Sequence, residues 1–417
     1  MEKILVEGGN RLEGEVLISG MKNSALPIIF ACLLVPHECV IENIPRVSDV
    51  YNALEILNSM GAKAYFCGAN TVLIDTQNAT PYVKRQDLIS KMRASSYLMG
   101  AMLSRFGQAC ISLPGGCNFG ARPLDLHFKG FCELGVLVEE NEDFILLKSA
   151  KKSNSAKITL DKISVGATIN MVLASFMLNG TTVINNCAQE PHIDDLISFL
   201  NLCGARVSRL GSTIVCGGNA NLSGITYKIF PDMIEALTYA SCVGICGGDI
   251  FLKSLVPEHL TYAINVFKNM GFNISVEENA VRVKAEKLIG CDIVTAPYPL
   301  FPTDLHPQFA SLLCFTKNGG SIKDEVFPTR FAYVNELRKM GANIQQIGNT
   351  AFIKPSSLVG AELDATDLRA GAALVIAALG AGGHSKINNV NYIVRGYEYF
   401  VEKIANIGGK IKIYKEN

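Results

Sequence analysis

Residues 54–61 read LEILNSMG, and the same pattern returns five more times along the chain. The later copies end at Gly135, Gly204, Gly271, Gly341 and Gly408. In every copy the residues one, four and seven positions before the glycine are apolar, which places one apolar stripe on a helix. A glycine directly after the stripe predicts a left-handed residue that ends the helix.

Each repeat also contains a second kind of helix, which is apolar or small on nearly every side. These segments are 24–34, 95–103, 165–178, 234–245, 308–315 and 370–379. Helices of this composition are expected to be buried all round. With the short alternating segments between them, they predict an α/β repeat of strand, buried helix, strand, amphipathic helix, strand and strand.

Six such units indicate two domains of three repeats each, because two helices per unit argue against a β-propeller and six units against an eightfold barrel. The chain length allows this, since 417 residues give about 200 residues per domain. We place the seam near Phe230 and Pro231, between the third and fourth repeats.

Composition excludes several classes of protein. The chain has 38 basic and 38 acidic residues, so it has no global basic field and a duplex-DNA binder is not expected. The longest run of glycine and apolar residues, 370–383, is too short to span a bilayer, and the first ten residues lack the apolar core of a signal peptide. The 13 cysteines form no Cys-x-x-Cys pair, which favours buried thiols in a reducing compartment over disulfides or structural zinc.

Charged residues stand at the starts of the buried helices. Lys22, Arg93, Lys162 and Arg369 lie where free backbone N–H groups already attract anions, so they favour an anion-binding pocket. Asp232, Asp304 and Asp367 have similar positions, and helix capping explains Asp232 and Asp367 equally well.

The segment 113–123, LPGGCNFGARP, reads as a long exposed loop because three glycines and two prolines exclude a helix or a central strand. Arg122 and His127 follow Cys117 closely, and positive charge nearby would tune the pKa of its thiol for acid or nucleophile chemistry. The alternative is a bystander thiol, which fits most of the other cysteines.

Six segments together resemble the enolpyruvyl transferase family, and within it the branch of UDP-N-acetylglucosamine 1-carboxyvinyltransferases. They are 20–27 (GMKNSALP), 92–95 (MRAS), 114–123 (PGGCNFGARP), 301–304 (FPTD), 366–370 (TDLRA) and 395–398 (RGYE). The resemblance spans essentially the whole chain. It implies two inside-out α/β barrel domains, residues 22–230 and residues 1–21 with 231–417, and an active site in the cleft between them.

The implied activity is transfer of the enolpyruvyl group of phosphoenolpyruvate to the 3-hydroxyl of UDP-N-acetylglucosamine, with release of phosphate. This is the first committed step of peptidoglycan precursor synthesis, and it implies a cytoplasmic, monomeric enzyme that serves cell wall biogenesis, cell shape and cell division. The two small molecules are the expected partners. No nucleic acid, membrane, cofactor or metal is expected.

The resemblance also implies site residues. Cys117 would be the general acid and the target of fosfomycin, Asp304 would take the hydroxyl proton, and Lys22 would be the third catalytic group. The expected substrate-binding residues are Lys22, Asn23, Arg93, Arg122, Pro123, Leu124, Asp125, Leu126, Lys162, Ile163, Ser164, Val165, Asp304, Val326, Arg330, Asp367, Leu368, Arg369 and Arg395. Met233 and Leu237 depart from the family pattern, and neither belongs to this set.

The sequence also allows three other interpretations. The first is a 5-enolpyruvylshikimate-3-phosphate synthase, the sister enzyme, although the Pro-Gly-Gly-Cys loop belongs to the sugar-nucleotide branch. The second is a non-enzymatic repeat scaffold, which leaves the cations at the buried helix starts unexplained. The third is a cysteine hydrolase, which is disfavoured because no motif fixes the partners of the cysteine.

Overall fold

A computed structural model describes residues 2–115, 124–150, 154–218 and 220–415. The chain divides into two compact units. Unit 1 combines residues 2–19 with 231–415, and unit 2 takes the described residues from 20 to 230.

The elements up to residue 228 are, in order, β1 (Glu2–Glu7), β2 (Leu12–Leu17), α1 (Lys22–Ala31), β3 (Glu38–Glu42), α2 (Ser48–Ser59), β4 (Lys63–Phe66), β5 (Val72–Asp75), α3 (Gln86–Ile89), α4 (Leu98–Phe106), β6 (Gln108–Ser112), α5 (Asp125–Glu133), β7 (Val136–Glu140), β8 (Phe144–Ser149), β9 (Ala156–Thr159), α6 (Val165–Ala174), β10 (Thr181–Asn185), α7 (Pro191–Leu202), β11 (Arg206–Leu210), β12 (Thr213–Gly217) and β13 (Thr226–Lys228).

The remaining elements are α8 (Met233–Cys246), β14 (Gly248–Lys253), α9 (Thr261–Asn269), β15 (Asn273–Glu277), β16 (Ala280–Ala285), β17 (Ile293–Thr295), α10 (His306–Cys314), β18 (Gly320–Asp324), α11 (Tyr333–Lys339), β19 (Asn343–Ile347), β20 (Thr350–Lys354), β21 (Glu362–Asp364), α12 (Leu368–Gly380), β22 (His384–Asn388), α13 (Phe400–Asn406) and β23 (Lys410–Lys415). Short 3-10 turns lie between several of them, including Arg93–Tyr97, Thr303–Leu305 and Val390–Arg395.

The six apolar helices are buried, as their composition predicts. In unit 1, α8, α10 and α12 pack against one another, and in unit 2, α4 packs against α1 and α6. Every residue of α12 from Leu368 to Leu379 is buried. This confirms the inside-out arrangement, in which helices occupy the centre of each unit.

The amphipathic helices end at the repeated glycines, also as predicted. Gly61, Gly135, Gly204, Gly271, Gly341 and Gly408 have φ between +80° and +109°. A residue with a Cβ is strained in this region, whereas glycine is not. The glycines therefore fix where each of α2, α5, α7, α9, α11 and α13 ends.

Five of the six sheets share one strand order. In the sheet β11-β12-β10-β9, for example, β9 runs parallel to β10 and the other neighbours are antiparallel. In the sheet β21-β22-β1-β23, β1 takes the position that β12 takes in the first example, between the edge strand and the strand that follows the buried helix. The exception is β6-β8-β7, which has three strands, and α3 packs against β6 there.

The strands next to the unit boundaries are exchanged relative to the repeat. β2 precedes α1 in the chain but pairs in parallel with β14, inside unit 1. Conversely, β13 precedes α8 but pairs in parallel with β3, inside unit 2. Unit 1 thus contains β2, although the helix that follows it, α1, lies in unit 2. Unit 2 contains β13, although the helix that follows it, α8, lies in unit 1.

The prediction of buried thiols is wrong for part of the set. Cys67, Cys110 and Cys132 are exposed, whereas seven of the twelve described cysteines are buried and none forms a disulfide. In β6 the strand alternation explains this, because Ala109 and Ile111 face inward and Cys110 faces outward. Among the described helices, none has the length and hydropathy that crossing a bilayer requires.

Candidate functional site

The starts of α8 and α12 in unit 1 are capped by aspartates. The Asp232 carboxylate accepts from the backbone N–H groups of Ile234 (2.8 Å) and Glu235 (3.1 Å). The Asp367 carboxylate accepts in the same way from Arg369 (2.9 Å) and Ala370 (3.1 Å). Capping is therefore confirmed for these two residues.

Asp304 has a different role, since α10 begins without a side-chain cap. Its carboxylate lies between two arginines: Arg330 Nη1 donates to Oδ1 at 2.8 Å, and Arg369 Nε and Nη2 lie 3.4 Å from Oδ2. Both guanidinium groups are buried, with 3% of each side chain exposed, whereas 29% of the Asp304 side chain is exposed. An accessible carboxylate held by two buried cations can exchange a proton with a bound molecule.

The two arginines are held in place by further contacts. Arg330 Nη2 lies 3.8 Å from the Asp367 carboxylate, and Arg369 lies 5.0 Å above the ring of Tyr397. Burial lowers the pKa of each guanidinium, but the carboxylates and Tyr397 outweigh it, so the pKa of both arginines lies above the usual value. Both are therefore permanent cations. Nη1 of Arg369 is buried and has no hydrogen-bond partner among the described residues.

A buried aspartate that the sequence analysis missed organises this cluster. Asp324 lies at the end of β18 and is fully buried. Its Oδ1 accepts from Thr295 Oγ1 (2.8 Å) and from the backbone N–H groups of Val326 (2.9 Å) and Phe327 (2.8 Å). Its Oδ2 accepts from Thr303 Oγ1 (2.7 Å) and lies 3.0 Å from His306 Nδ1. A carboxylate that closes a buried strand before a Phe-Pro turn is the sequence signal that could have found it.

The other predicted residues of unit 1 lie close to these groups in the chain. Val326 lies on the turn that Asp324 holds, and buried Leu368 begins α12. Arg395 is the last residue of the 3-10 turn Val390–Arg395 and is half-buried. Unit 1 thus brings Asp304, Arg330, Asp367 and Arg369 together in one cluster.

In unit 2, Lys22 and Asn23 form the first turn of α1. Lys22 Nζ lies 3.2 Å from the carboxylate of Asp49, which is buried and which the sequence analysis also missed. Arg93 starts the 3-10 turn Arg93–Tyr97, and burial lowers the pKa of its guanidinium. Neither helix start has a side-chain cap, so capping does not account for these cations.

His127 is buried in α5 and cannot supply charge. Its Nδ1 lies 2.9 Å from Asn170 Nδ2, and burial, followed by repulsion from Arg93, lowers the pKa of the imidazole to about 3. The imidazole is neutral near pH 7, so the idea that His127 tunes a thiol through positive charge is wrong.

The remaining predicted positions of unit 2 are helix starts. Leu124 is buried and Asp125 and Leu126 open α5. Ser164 caps α6 by accepting from the backbone N–H of Ala167 at 3.3 Å, and Val165 follows it. Lys162 and Ile163, directly before this cap, are exposed. Cys117, Arg122 and Pro123 lie outside the described residues.

Met233 and Leu237, the two departures from the family pattern, are both buried in α8. In the described part of the chain, no group of histidine, cysteine, aspartate and glutamate side chains has the arrangement of a metal site.

Comparison with known proteins identifies the family of the chain. The family model described as EPSP synthase (3-phosphoshikimate 1-carboxyvinyltransferase) matches residues 6–404, and the chain belongs to this family. In fold it is similar to the enolpyruvyl transferase NikO from Streptomyces tendae, with a TM-score of 0.90 over 100% of this chain and 99% of that one at 24% identity. It is also similar to EPSP synthase from Acinetobacter baumannii, with a TM-score of 0.75 over the whole of both chains at 15% identity.

Within the family, the similar curated proteins point to one branch. The chain is 44% identical to the UDP-N-acetylglucosamine 1-carboxyvinyltransferase of Halothermothrix orenii over 100% of both chains. It is 42% identical to UDP-N-acetylglucosamine 1-carboxyvinyltransferase 2 of Staphylococcus aureus over 98% of both. The resemblance seen in the motifs is confirmed, and the sugar-nucleotide branch is favoured over the shikimate branch.

Proposed function

We propose that this protein transfers the enolpyruvyl group of phosphoenolpyruvate to the 3-hydroxyl of UDP-N-acetylglucosamine and releases phosphate. Identities of 44% and 42% over nearly the full length of two UDP-N-acetylglucosamine 1-carboxyvinyltransferases support these substrates. The observation that carries the chemistry is the Asp304 carboxylate, accessible and held between two buried guanidinium groups.

The reaction needs a proton acceptor for the sugar hydroxyl, and Asp304 is suited to it. Its oxygens accept from Arg330 and Arg369, which fixes the orientation of the carboxylate that is to act as the base. The hydroxyl oxygen bonds to the central carbon of phosphoenolpyruvate while its proton passes to Asp304. In the same step the methylene carbon takes a proton from a general acid, which gives a tetrahedral intermediate.

Cys117 is our choice for that acid, by its match to the family loop. The intermediate then loses phosphate as the carbon–oxygen bond breaks, and a proton leaves the methyl group to restore the double bond. Binding a phosphate and a carboxylate calls for several cations, and Lys22, Arg93, Arg122, Arg330, Arg369 and Arg395 are the candidates. The other residues assigned to substrate binding by resemblance complete the proposed set: Asn23, Pro123 to Leu126, Lys162 to Val165, Val326, Asp367 and Leu368.

The proposed setting follows from the reaction. The product is a precursor of peptidoglycan, which links the protein to cell wall growth, cell shape and division. We place the enzyme in the cytoplasm as a monomer. A reactive Cys117 thiol would also be alkylated by the epoxide fosfomycin, with the sulfur opening the ring.

The test is phosphate release from phosphoenolpyruvate with UDP-N-acetylglucosamine or with shikimate 3-phosphate as acceptor. We expect phosphate release when UDP-N-acetylglucosamine is the acceptor and none when shikimate 3-phosphate is. The release should be lost in Cys117→Ser. Cys110→Ser is the matched control, because Cys110 is an exposed thiol on β6 outside the proposed site. Release with shikimate 3-phosphate alone, or unchanged release in Cys117→Ser, would contradict the proposal.

Fosfomycin labelling followed by mass spectrometry gives a second readout. The adduct is expected on Cys117 in wild-type protein and in Cys110→Ser, and on no cysteine in Cys117→Ser. An adduct that follows Cys110 instead would show that exposure, and not a tuned thiol, determines reactivity.

A further inference from the structure

A buried hydrogen-bond chain in unit 1 leads from Tyr333 through His306 to Asp324. Tyr333 Oη lies 2.6 Å from His306 Nε2, and His306 Nδ1 lies 3.0 Å from Asp324 Oδ2. None of the three side chains is more than 1% exposed. The chain is therefore shielded from water and from any substrate.

The proton positions in this chain follow from the chemistry of its ends. Burial raises the pKa of Asp324, but hydrogen bonds from His306, the backbone N–H of Phe327 and Thr303 outweigh it and hold the pKa at about 2, so the aspartate is an acceptor only. Burial raises the pKa of Tyr333 well above its usual value, so its hydroxyl keeps its proton and donates it. Burial lowers the pKa of His306, so its imidazole is neutral; with Nδ1–H donating to Asp324, Nε2 accepts from Tyr333.

This chain meets both segments that form the ion pair of the site. The 3-10 turn Thr303–Leu305 carries Asp304, and its first residue donates to Asp324 Oδ2. The turn that carries Arg330 begins at Phe327, whose backbone N–H donates to Asp324 Oδ1 at 2.8 Å. One buried carboxylate thus sets the distance between Asp304 and Arg330.

We propose that Asp324 and His306 are positioning residues that hold Asp304 in the orientation needed to accept the proton of the substrate hydroxyl. His306 acts through Asp324 and touches no substrate. It supplies one of the two bonds to Oδ2, and without it the carboxylate can rotate away from Thr303. The inference rests on the proposed function, because Asp304 must be the proton acceptor for the orientation to matter.

The first test compares His306→Leu with His306→Asn. Leucine removes both ring nitrogens, whereas the asparagine amide nitrogen can take the place of Nδ1 and donate to Asp324. We expect kcat for phosphate release to fall roughly 100-fold in His306→Leu, with little change in the KM of either substrate, as for a reacting group displaced by about 1 Å. His306→Asn should recover most of that loss.

Tyr333→Phe is the second variant, for use where His306→Leu does not fold. It removes one hydroxyl and leaves Asp324 with all of its donors, so kcat should fall below the wild-type value, but by less than roughly 100-fold. Tyr239→Phe is its matched control, because Tyr239 is equally buried in the same unit and lies against Phe400. The control should keep wild-type kcat.

The imidazole nitrogens give a readout that does not depend on activity. Nitrogen-15 spectra of the wild-type protein should show His306 as the Nδ1–H tautomer near pH 7, with the Nε2 signal moving in Tyr333→Phe. The Nε2–H tautomer would overturn the proposal. Equal kcat in folded His306→Leu and His306→Asn would overturn it as well, as would changes confined to KM. A wild-type protein that releases no phosphate would instead overturn the proposed function, and the tautomer would still test the hydrogen-bond chain.

Discussion

Asp304→Asn separates the chemical role of this carboxylate from its role in stability. Asparagine keeps the shape and one acceptor oxygen but removes the charge. The bond from Arg330 Nη1 at 2.8 Å is charge-assisted and contributes about 1.5–3 kcal/mol, against about 1 kcal/mol for a neutral bond. The longer contacts from Arg369 at 3.4 Å add little to this difference. We therefore expect Asp304→Asn to lower the free energy of unfolding by about 1–2 kcal/mol.

The charges around the site explain why the cost stays below that of a stranded buried ion, about 3–5 kcal/mol. Asp304, Asp367 and Asp232 face Arg330 and Arg369 in this cluster. Removing Asp304 leaves two carboxylates and two guanidinium groups, so neither arginine is left without a counter-charge. In a unit of about 200 residues the change corresponds to a fall of roughly 3–6 °C in Tm.

Turnover should respond far more strongly than stability. Loss of a general base lowers the rate about 10²- to 10⁴-fold, and asparagine cannot take up a proton. Phosphate release measures kcat, and far-UV circular dichroism measures unfolding, because the chain contains no tryptophan. If kcat of Asp304→Asn were within about tenfold of the wild-type value, the assignment of Asp304 as the base would be refuted.

Asp249→Asn is the matched control for this experiment. Asp249 in β14 has the same exposure, 30%, and also pairs with two cations, Arg282 and Lys284, at 2.8 and 2.9 Å. It lies on the surface of the same unit, so we expect a cost of about 1 kcal/mol or less and unchanged turnover. If both variants lost turnover equally, the effect would come from general destabilisation and the reasoning on Asp304 would be wrong.

Three further predictions concern other parts of the molecule. Gly61→Ala should destabilise unit 2 by about 1–3 kcal/mol in urea unfolding, because φ is +97° and the added Cβ would lie 2.8 Å from Asn78 O. An unchanged free energy of unfolding would contradict the need for a left-handed residue at this position. Burial raises the pKa of Asp195 to about 6 despite its hydrogen bonds, so between about pH 4 and 6 the folded state holds a proton that the unfolded state has lost. The contribution of this group to the free energy of unfolding therefore falls, by up to about 3 kcal/mol, as pH rises through that range. Unfolding curves measured at a series of pH values should lose this slope in Asp195→Asn. Arg369→Lys should lower kcat/KM roughly 10- to 100-fold, since an amine cannot bond Asp304 through two nitrogens and lie flat over Tyr397, and an unchanged value would exclude the planar group as the requirement.

The helices and their ends could be predicted from sequence because the signals are local. An apolar residue at every third or fourth position and a glycine with φ near +97° act within one or two turns, as at Gly61. The exchange of β2 and β13 between the units could not be predicted in this way. Leu12 pairs with Gly248, more than 200 residues away, and nothing in the repeat pattern distinguishes that partner from the nearer β3.

The candidate site was predictable in its charges but not in its connections. Arg330 and Arg369 could be named as candidate substrate-binding cations, whereas their shared contact with Asp304 depends on tertiary structure. Asp324 was missed because its role appears only once β18, the Thr303–Leu305 turn and the Phe327 turn meet at one carboxylate. Buried polar residues of this kind need all their partners before their purpose can be recognised.

Three aspartates of this unit stand before buried helices and differ in what their carboxylates contact. Asp232, Asp304 and Asp367 are each followed by an apolar residue and a buried helix, and a local reading treats them alike. Asp232 and Asp367 cap by accepting from the N–H groups two and three residues later. Three residues after Asp304 stands Pro307, which has no N–H to donate. Asp304 also lies inside the 3-10 turn Thr303–Leu305 and not at the cap position of α10, so it does not cap. It is 29% exposed and pairs with arginines, whereas the two capping aspartates are buried.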